Sequence, residues 1–340
     1  MKVLVIGGTG LIGPHVVRLL TEMGHSVAVL HRGKTKIDLP AEHVRGDRGE
    51  LASLRPKTDV VIDLILSSGA QAQMMMDVFR GVARRVVGAS SCDVYRACGV
   101  LHGSEDGPLQ SVPLTEDSEL RTKLQTYPRE QMEMIRKMVS WADDSYNKIP
   151  VERAIMGDPG LPGTVLRLPM IYGPGDYARR FHPIVKRIDD GRRTIIYEEG
   201  WAAWKPPRGY VENVAAAIAL ASVSDRASGR IYNVAETPAF SEIDWARKIA
   251  AATGWDGDFA VLSRDRTPVH LVFPGNSAQH WEVDSSRIRR ELGYREPVSI
   301  DEGIRHTIEW ERANPINPGE FNPHPFDYAA EDAALEGTSE

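Results

Sequence analysis

The stretch VIGGTGLIGPHVV, residues 5–17, sets three glycines three apart between a strand-like run and a helix-like one. Gly7 permits a tight turn, Gly10 lets a pyrophosphate approach the backbone, and Gly13 opens a helix whose N-terminal dipole favours anions. Gly8, Thr9, Leu11 and Ile12 line the same turn. A glycine-rich connection with no ligand is the alternative, and the position after the first strand of an α/β unit argues against it.

Working outward from this turn, strand and helix patterns alternate. KVLVIG (2–7) reads as a buried strand, residues 14–24 have helical apolar spacing, and SVAVLH (26–31) is a second strand. TDVVIDLIL (58–66), a helix from Ala70 to Gly81, RRVVGASS (84–91) and GTVLRLPMIYG (163–173) continue the rhythm. This order predicts an α/β fold, a Rossmann-type doubly wound parallel sheet with a smaller C-terminal α/β substrate domain.

A polar stretch followed by one amphipathic helix over 128–142 interrupts the pattern, so residues 96–145 read as an inserted lid. Residues 1–168 are expected to form the dinucleotide-binding domain and 169–320 mainly the substrate domain, with 207–235 returning to the first. Residues 321–340 read as an extended acidic tail.

With 340 residues, either part is long enough to bury a core, and a net charge of −6 does not suit a surface built for phosphate backbones. Nucleic acid is therefore not the expected partner. Two cysteines make no disulfide scaffold, Met1 runs directly into a strand without a signal-peptide pattern, and no apolar run reaches membrane-span length. These features imply a cytoplasmic protein with no membrane partner. The histidines lack metal-ligand spacing, so no metal site is expected. Cys92 has no nearby base and reads as a buried small residue, and Trp201 and Trp204 read as packing residues.

At the end of the second strand an NAD site carries a carboxylate for the ribose 2′-hydroxyl. Here His31 and Arg32 stand there, followed by Lys34 and Lys36. A guanidinium suits a 2′-phosphate, which favours NADP over NAD, the alternative being a solvated basic loop. Asp47 and Arg48, after a third short strand, stand where a carboxylate could accept from an adenine amino group. A simple turn aspartate is the competing reading.

GGTGLIG, GDRGEL, SSCDVY, KIPVE from Lys148, LRLPMIYGPGD, RGYVENVAAAI, YNVAE and SSRIRRELGYREPVSIDEGIRHTIEW occur in an order that resembles the short-chain dehydrogenase/reductase superfamily. The resemblance is to its extended or atypical members, the NAD-dependent epimerase/dehydratase branch, over roughly residues 1–95 and 146–312 by motif order. It is also similar to an atypical subgroup containing chloroplast stem-loop RNA-binding proteins. The resemblance implies that Ser91 holds a substrate hydroxyl, that Pro169 lies near the nicotinamide, that Lys148 bonds the cofactor ribose, and that Arg208 faces a diphosphate-bearing substrate. It also implies a possible homodimer through helices near 70–82 and 149–157.

The family carries YxxxK, which puts phenol and ammonium on one helix face so that the ammonium lowers the phenol pKa. Lys148 matches the lysine, but the tyrosine position holds Asp144, a poor proton donor at neutral pH because its reference pKa is about 3.9. Tyr127 precedes a proline and lacks the lysine. Tyr146 would stand roughly 200° from Lys148 on a helix. Pro150, however, delays the regular helix to about residue 149 or 150, and in an extended segment residues two apart share a side. Tyr146 is thus the expected phenol, with Ser91 and Lys148.

The reading is an NAD(P)-dependent epimerase, dehydratase or reductase acting by hydride transfer on a small-molecule substrate, a sugar nucleotide or similar hydroxylated compound. A non-catalytic NADP-binding regulator and an RNA-binding protein are the alternatives.

Overall fold

The structure is a computed structural model and describes residues 1–34, 38–54, 57–124, 127–139, 141–317 and 319–336. Lys36 and residues 337–340 of the expected tail lie outside the described residues. Its strands are β1 (Lys2–Ile6), β2 (Ser26–His31), β3 (Glu42–Arg45), β4 (Val60–Asp63), β5 (Arg85–Ser91), β6 (Gly163–Leu168), β7 (Met170–Tyr172), β8 (Thr194–Glu198), β9 (Arg208–Tyr210), β10 (Arg230–Asn233) and β11 (Asp258–Leu262).

Seven of them form one parallel sheet in the order β10-β6-β5-β4-β1-β2-β3. The order reverses beside β1, and this places a crevice at the carboxyl ends of β1 and β4, where ligands bind in such sheets.

Because side chains alternate along a strand, β1 serves two cores. Val3 and Val5 pack with Val16, Val17 and Leu20 of helix Gly13–Glu22 and with Val214 and Ile218 of helix Val211–Val223. Leu4 and Ile6 pack on the other face with Met75, Met76 and Phe79 of helix Gly69–Phe79 and with Val151 and Ile155 of helix Lys148–Met156. Each such side chain contributes roughly 1.5–3 kcal/mol by leaving water. The sheet is therefore covered on both faces.

Beyond the sheet, β8 pairs with β11 and β7 with β9, both in parallel. The run 163–173 is two strands rather than one. Pro169 separates them, because it has no N–H for a ladder, and β7 leaves for the second small sheet.

The segments 96–145 and 321–340 also differ from the sequence reading, through contacts with residues distant along the chain. The interruption at 96–145 begins not with an irregular polar stretch but with helix Arg96–His102, whose Ala97, Cys98 and Leu101 pack with Trp204, Trp281 and Val283. Cys92 and Cys98 are both buried, and burial pushes both thiols up. The amphipathic helix spans Arg129–Met138, shorter than 128–142. Within the residues read as an extended tail, Tyr328–Glu336 form a helix, because Glu331 is buried against the Arg187 guanidinium at 2.5 and 3.0 Å and accepts from His270 at 3.0 Å, while 321–327 are not helical.

Candidate functional site

The glycine turn joins β1 to helix Gly13–Glu22. Gly7 adopts φ +83°, and a Cβ on Gly13 would lie 2.4 Å from the Gly8 carbonyl, so only glycine allows the helix to start this close to the turn. The turn lines two adjoining cavities. The outer one, about 580 Å3, is bordered by Thr9, His31, Arg32, Asp47 and Arg48. The inner one, about 290 Å3, is bordered by Leu11, Ile12, Gly13, Pro169, Ile171 and Tyr146. Gly7, Gly10, Met138, Val139, Trp141 and Tyr177 border both, so the segment after helix Arg129–Met138 roofs the crevice.

A dinucleotide fits this turn. Leu11 N–H points out of the turn and donates to the Tyr177 hydroxyl at 2.7 Å, so the turn presents a donor of the kind a phosphate oxygen takes. At the outer end Arg32 is exposed. His31 Nδ1 accepts from Gly33 N–H, and His31 Nε2 lies 3.0 Å from His43 Nδ1. Burial, His43 and Arg45 lower the His31 pKa.

Asp47 borders the outer cavity and also orders the turn beside it. Its carboxylate caps the short helix Arg48–Glu50, accepting from Gly49 N–H at 3.0 Å while Glu50 bonds back to Asp47 N–H. Arg48 is likewise engaged, its Nη1 and Nη2 donating to the two oxygens of buried Asp63 at 2.6 and 2.7 Å.

At the inner end the stretch DDSYNKIPVE is ordered by its own polar residues. Asp143 accepts from Ser145 N–H and from Ser67 Oγ, which pins the turn to the loop after β4. Asp144 is exposed and paired with Arg136. The helix begins at Lys148, earlier than expected, because Asn147 caps it by accepting from Ile149 N–H at 3.1 Å; Pro150 is still tolerated in the first turn. Asn147 itself is extended, with φ −160° and ψ 116°.

An extended residue between them leaves Tyr146 and Lys148 on one side. Lys148 Nζ lies 5.6 Å from the Tyr146 ring centroid and 4.9 Å from that of Trp141. Lys148 is 2% exposed, and its Nζ donates to Leu66 O at 2.5 Å and Ala89 O at 3.1 Å. Burial pulls its pKa down to about 8. Helix Lys148–Met156 is itself fixed by Glu152, which accepts from Ser90 Oγ and from Nε and Nη2 of buried Arg167.

Ser91 ends β5 and accepts from Asp93 N–H at 3.1 Å, and its hydroxyl acts on the Tyr146 phenol in the direction of a lower pKa. The phenol donates to Asp93 Oδ2 at 2.6 Å, and Tyr127 donates to the same oxygen at 3.3 Å. Burial and Asp93 raise Tyr146 well above the ordinary tyrosine pKa. This is opposite to the effect that the Tyr–Lys arrangement was expected to produce.

Arg208 is held away from solvent on β9. One amino group donates to both oxygens of Glu242 at 2.6 and 2.8 Å, while Nε and Nη1 are buried without partners among the described residues. It lines a third cavity, about 260 Å3, with Arg187, Trp201, His270 and His324. Arg180 lines this cavity and the inner lobe of the crevice.

Residues 3–235 match the NAD dependent epimerase/dehydratase family. The chain belongs to that family. A dTDP-glucose 4,6-dehydratase of Streptomyces niveus is 28% identical over 158 residues, 46% of this chain and 43% of that protein, so the match spans less than half of that relative. The chloroplast stem-loop binding protein of 41 kDa b from Arabidopsis thaliana is 23% identical, with 89% of this chain and 77% of that protein covered. The solved structure of MoeE5 in complex with UDP-glucuronic acid and NAD superposes with a TM-score of 0.65 at 22% identity, over 92% of this chain and 99% of that one. Set against the family's YxxxK helix, exposed Asp144 stands at the tyrosine position and Tyr146 is the residue before the helix cap Asn147. Asp93, Trp141 and Tyr177 had no sequence signal, since each is placed by contacts distant along the chain.

Proposed function

We propose that this chain is a nicotinamide-dependent oxidoreductase acting on a sugar nucleotide or similarly hydroxylated small molecule, with NADP favoured over NAD. The observation that carries the reading is Tyr146 on the wall of a glycine-lined crevice, with the Lys148 ammonium 5.6 Å from its ring and Ser91 acting on its hydroxyl from behind. The relatives that act on sugar nucleotides support the substrate class.

In this reading the turn from Gly7 to Gly13 holds the pyrophosphate through its N–H groups, and His31 and Arg32 face a ribose 2′-phosphate. Pro169 and Ile171 wall the inner lobe. Bound nicotinamide supplies the hydride donor or acceptor. Ser91 orients the reacting hydroxyl, Tyr146 exchanges its proton, and Lys148 fixes the floor beneath the phenol through two backbone carbonyls. The Nε and Nη1 donors of Arg208, which have no hydrogen-bond partner among the described residues, offer an anionic substrate group two charge-assisted bonds. A cytoplasmic location and a homodimer through helices Gly69–Phe79 and Lys148–Met156 belong to the same reading.

The test is titration with NADPH and NADH, followed by hydride exchange across a panel of sugar nucleotides and simple carbonyls. Tyr146→Phe is expected to keep dinucleotide binding and lose exchange. Binding without exchange in the wild type would instead favour a non-catalytic NADP-sensing regulator. That second reading is supported by two features, the occupation of Leu11 N–H by Tyr177 and the covering of Lys148 by Trp141.

A further inference from the structure

Asp93 is fully buried two residues beyond Ser91. Its Oδ2 accepts from both Tyr146 and Tyr127, while its Oδ1 is buried without a hydrogen-bond partner among the described residues. A buried acceptor left unpaired is costly, so a carboxyl retained in such a setting calls for a role.

The neighbouring groups do not neutralise it by direct contact. Arg121 donates through Nε to the Asp93 backbone carbonyl and through Nη1 to Lys123 O. Lys148 Nζ is committed to Leu66 and Ala89 carbonyls. His102 stacks edge-on against Tyr127 at 5.1 Å, and burial holds its pKa down to about 4, so it is neutral near pH 7. Cys98 is buried with a raised pKa and remains a thiol.

A phenol kept protonated cannot accept a substrate proton without releasing its own. Tyr146 is in that state, and the acceptor already hydrogen-bonded to it is Asp93.

We propose that Asp93 is the terminal proton acceptor of this site, taking the phenolic proton of Tyr146 as Tyr146 takes the hydroxyl proton of the substrate. The proposal rests on the oxidoreductase reading above. In the oxidising direction the substrate C–H electron pair leaves as hydride to an oxidised nicotinamide, and the substrate oxygen forms the carbonyl. Its proton bonds to the Tyr146 oxygen, and the former Tyr146 proton bonds to Asp93. Reduction runs the same transfers backwards. Asp93 thus acts through Tyr146 as a positioning residue, and Tyr127 holds the carboxylate in place from the other side.

The experiment compares wild type, Asp93→Asn, Asp93→Glu and Tyr146→Phe in two readouts. The first is the ultraviolet titration of the Tyr146 phenol without cofactor, isolated by subtracting Tyr146→Phe. Asp93→Asn is expected to ionise Tyr146 at lower pH than wild type. The second is the pH profile of hydride exchange with NADPH and the best substrate of the panel. Asp93→Asn is expected to lose roughly 10²- to 10⁴-fold in kcat at pH 7. Dinucleotide affinity should be unchanged, the deficit should shrink as pH rises and phenolate forms, and Asp93→Glu should recover part of the rate. An unchanged Tyr146 titration, or a deficit of equal size at every pH, overturns the relay. Wild type that exchanges hydride alongside an equally active Asp93→Asn overturns the relay alone, whereas wild type that exchanges none overturns the functional reading and the relay with it.

Discussion

The Tyr177 hydroxyl accepts the Leu11 N–H at 2.7 Å, so a side chain from the loop after β7 occupies a donor of the glycine turn. A dinucleotide pyrophosphate and this hydroxyl compete for one N–H. A neutral hydrogen bond has a net worth of about 0.5–1.5 kcal/mol. Tyr177→Phe is therefore expected to tighten NADPH binding roughly two- to tenfold, measured by calorimetric titration, and weaker binding would mean that the hydroxyl assists the cofactor.

Arg32 stands exposed at the end of β2 with no carboxylate in the 2′-hydroxyl position. Hydrogen bonds to charged groups contribute about 1.5–3 kcal/mol. Arg32→Ala should weaken NADPH by a corresponding factor, roughly 10- to 100-fold, and leave NADH unchanged. Equal losses for both nucleotides would place Arg32 away from the 2′-phosphate.

Glu152 and Arg167 form a buried pair, 4% and 2% exposed, that ties the helix carrying Lys148 to β6. Removing one partner strands the other charge, at a cost of about 3–5 kcal/mol. Glu152→Ala should lower unfolding free energy by that amount in denaturant melts, and a loss below about 1 kcal/mol would show that water reaches Arg167.

Lys148 loses its proton at about pH 8 in the folded chain, whereas an unfolded lysine does so near pH 10.4. Between those values the unfolded state binds more protons, so this residue makes stability rise with pH across the window. Relative to Lys148→Met, wild type should gain on the order of 3 kcal/mol between pH 7.5 and 10.5. Parallel pH dependences would mean that the ammonium is solvated.

The sheet was legible because its evidence is local. The glycine turn and the apolar runs at β1, β2, β4 and β5 each carry their own signal, and all four strands lie where the alternation put them. The same locality explains the placing of Tyr146 beside Lys148, since the extended cap residue Asn147 lies between them, although the helix starts at Lys148 and not at the later point that Pro150 suggests. Asp93 went unread because a buried aspartate in a turn looks like an exposed one in sequence. Helix Tyr328–Glu336 carries no local signal of this kind, because its anchor, Arg187, lies 144 residues away. Trp141 over Lys148 and Tyr177 at Leu11 are likewise products of tertiary packing.

The central claim is that Tyr146 replaces the displaced family tyrosine. Its most direct test is a crystal structure with bound NADPH, read for the distance from nicotinamide C4 to each tyrosine hydroxyl. Tyr146 is expected to be the nearest phenol, on the side of Ser91, with Trp141 displaced from Lys148. A nicotinamide that meets Tyr127 first, or that lies against Trp141 with Tyr146 shut behind it, would contradict the account.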